Sequence, residues 1–109
     1  SLDYWTGTCY TTNRRVWEHD DKFKKYLKRI RAMAIDMETA TIFTVGFANQ
    51  ISTGALLLVS DQPMTPEGVK TDASDMTVTA NYVSHHLQIG IDSLKQLINN
   101  GNTVKHLRF

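Results

Sequence analysis

The sequence holds one cysteine, Cys9, so no internal disulfide can form and an oxidised, stapled mini-protein is excluded. With no base beside it to lower its pKa, Cys9 reads as a small core residue rather than a nucleophile. Both prolines, Pro63 and Pro66, fall in one stretch, leaving the rest of the chain free of strong breakers. No sign of charge dominates. A formal net charge of +1, with 41% hydrophobic and 21% charged residues, gives no global cue for nucleic acid or membrane. Long apolar runs are also missing: Ala55 to Val59 is far too short to cross a bilayer, and Ser1-Leu2-Asp3 lacks the basic and apolar regions of a signal peptide. A cytoplasmic location is the expectation. The initiator methionine is absent too, so the chain is expected to be a piece of something longer. At 109 residues it amounts to one domain at most, with room for a modest core. It contains no internal repeat, low-complexity tract or second domain.

What is present alternates. Thr6-Gly7-Thr8-Cys9-Tyr10-Thr11-Thr12 is rich in β-branched and aromatic residues and predicts a strand ending in a loop at Asn13. From Asp20-Asp21 the pattern becomes helical, with Phe23, Tyr26, Leu27 and Ile30 on one face. Acids open that helix and Lys28, Arg29 and Arg31 close it, the order its dipole favours, so its lysines and arginines read as a solvated face rather than a nucleic-acid patch. Met33-Ala34-Ile35 predicts a short buried strand, and Glu38 to about Gln50 a helix apolar enough to be buried on most sides. After the turn Ser52-Thr53-Gly54, Ala55 to Val59 predicts a third strand. Gln62 to Gly68 reads as an irregular loop suited to a flap over a site. A long helix follows from about Ser74-Asp75, with Val83, Leu87, Ile91, Leu94 and Ile98 on one face and Gly101 to stop it, and Thr103 to Phe109 is expected to add an extended segment. The order predicts an α/β fold of mainly parallel strands covered by helices. Three strands leave an apolar sheet edge open, so the chain is expected to be the second half of a larger α/β domain.

In open α/β sheets ligands bind outside the carboxyl ends of the strands. The three expected strands end in Asn13, in Asp36 and Glu38, and in Ser60 and Asp61, which would converge on one site. Acids also open helices and loops, and on spacing alone Glu38 and Asp61 fit that plainer role equally well. His19, His85, His86 and His106 show no metal spacing, since the adjacent pair points to different helix faces; no metal is expected.

Two motifs carry a resemblance. Asp36-Met37-Glu38-Thr39-Ala40 resembles a Glu-Met-Glu-Ala-Ala/Thr segment, and Val59-Ser60-Asp61 an Ile-Ser-Asp strand end, both of the purine nucleoside phosphorylase and nucleosidase superfamily. More narrowly, Thr11 to Glu18, Ser60-Asp61-Gln62-Pro63 with Glu67 to Thr71, and Val104 to Phe109 are similar to the bacterial AMP nucleosidase family. The resemblance covers essentially the whole chain and implies a three-layer αβα nucleoside phosphorylase-like fold, present only as its carboxyl-terminal half (1–109). It implies hydrolysis of AMP to adenine and ribose 5-phosphate, in purine salvage or degradation, by a cytoplasmic homo-oligomer. ATP as an allosteric activator is implied by the family alone, with no cofactor bound by this segment. The alternatives are a purine nucleoside phosphorylase with phosphate as nucleophile and a non-catalytic fragment mediating oligomer contacts. The strands carrying the family's phosphate-binding loop are not in these residues, so the segment is expected to be inactive without the remainder of the catalytic domain.

The chemistry behind this is specific. Cleaving the ribose–purine bond develops positive charge on the sugar and negative charge on the departing base. Asp61 matches the acid that hydrogen-bonds or protonates purine N7, with Ser60 orienting it; since an ordinary Asp has a pKa of about 3.9, donation needs a site that raises it. Glu38 matches the carboxylate that accepts hydrogen bonds from the ribose hydroxyls. Met37 matches the residue packed on the ribose and fits a core methionine nearly as well. Asp36 replaces the Glu of many related nucleosidases and is one methylene shorter, which leaves its reach to the attacking water open. Asn13, Val16 and Trp17 are candidates for the purine pocket, Trp17 being equally suited to anchor the core. Arg14, Arg15 and Lys70 are candidates for the nucleotide phosphate, against the plainer role of surface ion pairs.

Overall fold

Two strands and the helix between them form the ordered centre of the computed structural model, which describes residues 4–68 and 71–100. Strand β1 (Thr8–Thr11) pairs in parallel with β2 (Ala32–Asp36), joined by helix α1 (Asp21–Arg29) as a β–α–β unit. The register sets Cys9 against Ala34, Tyr10 against Ile35 and Thr11 against Asp36, after an irregularity between Thr8 and Cys9. The strand ends at Thr11 and Asp36 therefore lie side by side.

Helix α1 starts where the sequence placed it. The Asp20 carboxylate accepts from the Phe23 amide at 3.0 Å, and Asp21 lies in the first turn with Lys28 and Arg29 in the last. Arg31, with a φ of 56°, takes the left-handed conformation that ends the helix and turns the chain into β2. The contact between α1 and β1 is aromatic: Tyr10 meets the rings of Phe23 and Tyr26 edge-on, and Trp17 meets Phe23 at 5.6 Å. Among the described residues Trp17 and Leu27 are the buried large apolar side chains.

Helix α2 (Thr39–Ala48) follows β2 directly. Expected to be buried on most sides, it is not: among its described residues only Gly46 is buried, and Phe47 is 88% exposed. An apolar composition states what a helix needs covered, and no described element supplies the cover. Gly46 admits the returning chain, since a Cβ there would come within 2.4 Å of the Thr53 methyl.

The expected strand at Ala55 to Val59 is also corrected. Residues 51–60 carry no strand, and the only sheet among the described residues is β1–β2. A strand is a property of a pair, and this apolar run finds no ladder partner here. A 3₁₀ turn (Pro66–Gly68) closes the proline loop. Thr71 then caps α3 (Asp72–Val78) in a reciprocal capping box with Ser74, so the helix begins slightly earlier than expected. A π-helical turn (Thr79–Val83) joins α3 to α4 (Ser84–Asn99), where the sequence predicted one unbroken helix. Gly101 and the expected extended tail lie outside the described residues. The fold is mixed α/β with a small parallel sheet, and no described helix is long and apolar enough to cross a membrane.

Candidate active site

Asp36 is the most connected carboxylate of the site. Its Oδ1 accepts from the Thr11 hydroxyl at 2.7 Å, and its Oδ2 accepts from both the amide (2.9 Å) and the hydroxyl of Thr39. Thr11 Oγ1 in turn accepts from the Ala40 amide at 2.9 Å. The first free amides of α2 are thus met by side chains from the ends of both strands, an arrangement that suits the positive end of a helix. Burial pushes Asp36 upward, but the hydrogen bonds from the Thr39 and Thr11 hydroxyls, the Thr39 amide and the Cys9 thiol outweigh it and hold the carboxyl below its usual value. The same neighbourhood raises the Cys9 thiol, first by burial and then by the charge and hydrogen bond of Asp36. Cys9 is half-buried and stays a thiol, consistent with an inert packing residue.

A depressed carboxyl contributes stability above its unfolded pKa, about 3.9, and loses that contribution as pH falls through the lower folded value. Asp36→Asn is therefore expected to lower the melting temperature near pH 7, with the gap to wild type closing in acid below about pH 4. Thermal melts of the full-length protein and its variant from about pH 2.5 to about 7 check this; a gap that persists unchanged into acid contradicts it.

Ser60 and Asp61 stand across an open hollow from β2. The hollow, about 390 Å³, is walled by residues 32–36 and 57–64, together with Trp17 and Leu27. Asp36 and Asp61 both line it, and the Ser60 hydroxyl donates to Asp61 Oδ1. The loop after Asp61 is pinned by hydrogen bonds from the Gln62 amide to the Gly68 carbonyl (2.9 Å) and from the Gly68 amide to the Thr65 carbonyl (3.1 Å). Gly68 leaves no room for a side chain, because a Cβ would lie 2.0 Å from the Gln62 carbonyl oxygen. Gly68→Ala must move backbone next to Asp61 and is expected to lower the melting temperature of the full-length protein, which thermal melts check; an unchanged melt contradicts it.

The other sequence candidates divide. Trp17 walls the hollow and is also a core residue, 6% exposed. Glu38, Met37, Asn13 and Val16 are exposed and do not line the hollow. Glu38 follows β2 by two residues as the formal cap of α2, yet its carboxylate caps no amide of that helix; it accepts only from the Met37 amide, at 3.3 Å. Arg14 is paired with Asp20 at 2.8 Å and lies over the Phe23 ring, so it fastens the loop before α1. That pairing, after the Phe23 amide, helps hold Asp20 below the usual carboxylate range. Arg15 is exposed, and Lys70 lies outside the described residues. Among the described residues no group of His, Cys, Asp and Glu converges as a metal site. Thr11 and Thr39 were not singled out from the sequence, although the Asp36-x-x-Thr39 spacing is itself a capping signal.

The site thus holds a carboxylate tied across two parallel strand ends at a helix start, and a second, borne on Val59-Ser60-Asp61, lining the same hollow. The chain matches the phosphorylase superfamily over residues 1–96 and belongs to it. Over 95 residues it is 39% identical to the AMP nucleosidase of Escherichia coli strain K12, and equally to that of Escherichia coli O157:H7. These alignments cover 84% of this chain and 19% of each relative, so the chain spans about a fifth of their length. No solved structure matches it.

Proposed function

We propose that this chain supplies the base-facing and ribose-facing carboxylates of an enzyme that hydrolyses AMP to adenine and ribose 5-phosphate. The observation that carries the reading is the 39% identity with the AMP nucleosidases across the stretch holding both acids. In this mechanism the bond between C1′ and N9 breaks and its electron pair leaves with the purine. The carboxyl of Asp61, oriented by the Ser60 hydroxyl, gives a proton to N7 as the charge develops. Water bonds to C1′ and releases a proton to solvent, from which Asp61 is recharged. Glu38 accepts hydrogen bonds from the ribose hydroxyls and places negative charge beside the developing cation.

Membership of the phosphorylase superfamily supports a second reading, with phosphate as nucleophile. Incubating the full-length protein with AMP in phosphate-free buffer separates the two. Hydrolysis yields adenine and ribose 5-phosphate there; release that requires phosphate and yields a ribose 1,5-bisphosphate establishes phosphorolysis and overturns the proposal.

A further inference from the structure

We infer that Asp36 is the positioning residue of this site: by tying Thr11 to Thr39 it fixes the short Met37-Glu38 turn and so sets where the Glu38 carboxylate stands. The inference rests on the reading of Glu38 as the ribose-binding acid. Within the turn the Glu38 side chain makes no helix-capping bond, and its one hydrogen bond is the long, 3.3 Å bond from the neighbouring Met37 amide. The turn is held from outside. Behind it, Asp36 is locked in the β1–β2 register, and its carbonyl accepts from the Thr12 amide at 2.9 Å. Ahead of it, the Thr39 amide is bound by Asp36 and the Ala40 amide by Thr11. Met37 and Glu38 therefore bridge two points tied through Asp36 and Thr11, and α2 adds a further hold, the Ile42 amide donating to the Glu38 carbonyl at 3.1 Å.

The geometry also separates this role from general-base catalysis. Both Asp36 oxygens are engaged, Oδ1 by the Thr11 hydroxyl and Oδ2 by the amide and hydroxyl of Thr39. A carboxylate so fully satisfied has little capacity left to take a proton from water. The shorter side chain at this position is what the tie needs, because it keeps both oxygens within reach of the next turn and the neighbouring strand end.

The test compares kcat/KM for AMP with that for 2′-deoxy-AMP in the full-length protein. Glu38→Gln is expected to erode the preference for the 2′-hydroxyl. Asp36→Asn is expected to erode it as well, by about 10-fold, because an Asn amide cannot accept at both oxygen positions. The double variant should show no further loss, since both changes act on one interaction. Thr11→Val should reproduce the effect and Thr11→Ser should restore the preference, a pair that decides the matter even if Asp36→Asn fails to fold. An equal drop for both substrates in Asp36→Asn, with the preference intact in Thr11→Val, overturns the inference while leaving Glu38 in place. A preference that survives Glu38→Gln removes the ribose assignment, and the inference with it.

Discussion

Asp61→Asn in the full-length protein is expected to cut adenine release from AMP by about 100- to 10,000-fold, the range general-acid catalysis supplies. Asn keeps the size and planarity of Asp, and its carbonyl oxygen still accepts from the Ser60 hydroxyl, so the loop after residue 61 has no reason to move. What disappears, under the proposed mechanism, is the carboxyl that carries a proton to the purine. The loss should therefore fall on kcat while the melting temperature stays close to wild type. Ser60→Ala offers the contrast: it leaves the acid but frees its orientation, and a loss nearer to 10-fold is expected from one hydrogen bond. Near-normal turnover by Asp61→Asn removes Asp61 from the role of acid. A matching collapse in melting temperature would instead show that the residue holds the loop together.

The candidate site was partly legible because strand ends and helix starts write themselves locally. Asp20 and Asp21 before an apolar face announced α1, and Met33-Ala34-Ile35 announced β2. The motif around Glu38 and the one ending in Asp61 lie near the hollow, but Asp61 and Asp36 line it while Glu38 stands outside it. That split could not be read in advance, because it depends on the register that lays Thr11 beside Asp36. Register is set between strands distant in sequence. The same limit explains Ala55 to Val59, which has the composition of a buried strand but no partner among the described residues. The π turn at Thr79–Val83 contains neither glycine nor proline, so no local residue marked the change of helical pitch.

The isolated 109 residues are expected to show no cooperative melt and no turnover. A compact monomer of 12.4 kDa exposes about 6,100 Å² of surface, whereas this chain exposes 9507 Å². The surplus exceeds what most stable protein interfaces bury. Its radius of gyration, 16.1 Å, is likewise larger than the roughly 13 Å of a compact domain of this length. Much of the surplus is apolar and contiguous in sequence: Ile42, Phe43, Val45 and Phe47 on α2, then Ile51, Leu56, Leu57 and Val59 beyond it are all exposed. No described side chain is fully buried, so the favourable term that must offset chain entropy is small. Such a chain should bind a hydrophobic dye, self-associate and give a weak near-ultraviolet circular dichroism signal. The full-length protein is expected to melt cooperatively and, under the proposed function, to release adenine. A sharp melt and measurable turnover by the isolated segment would contradict this, and would mean that the β1–α1–β2 unit with its Asp36 tie is sufficient both to fold and to assemble the site.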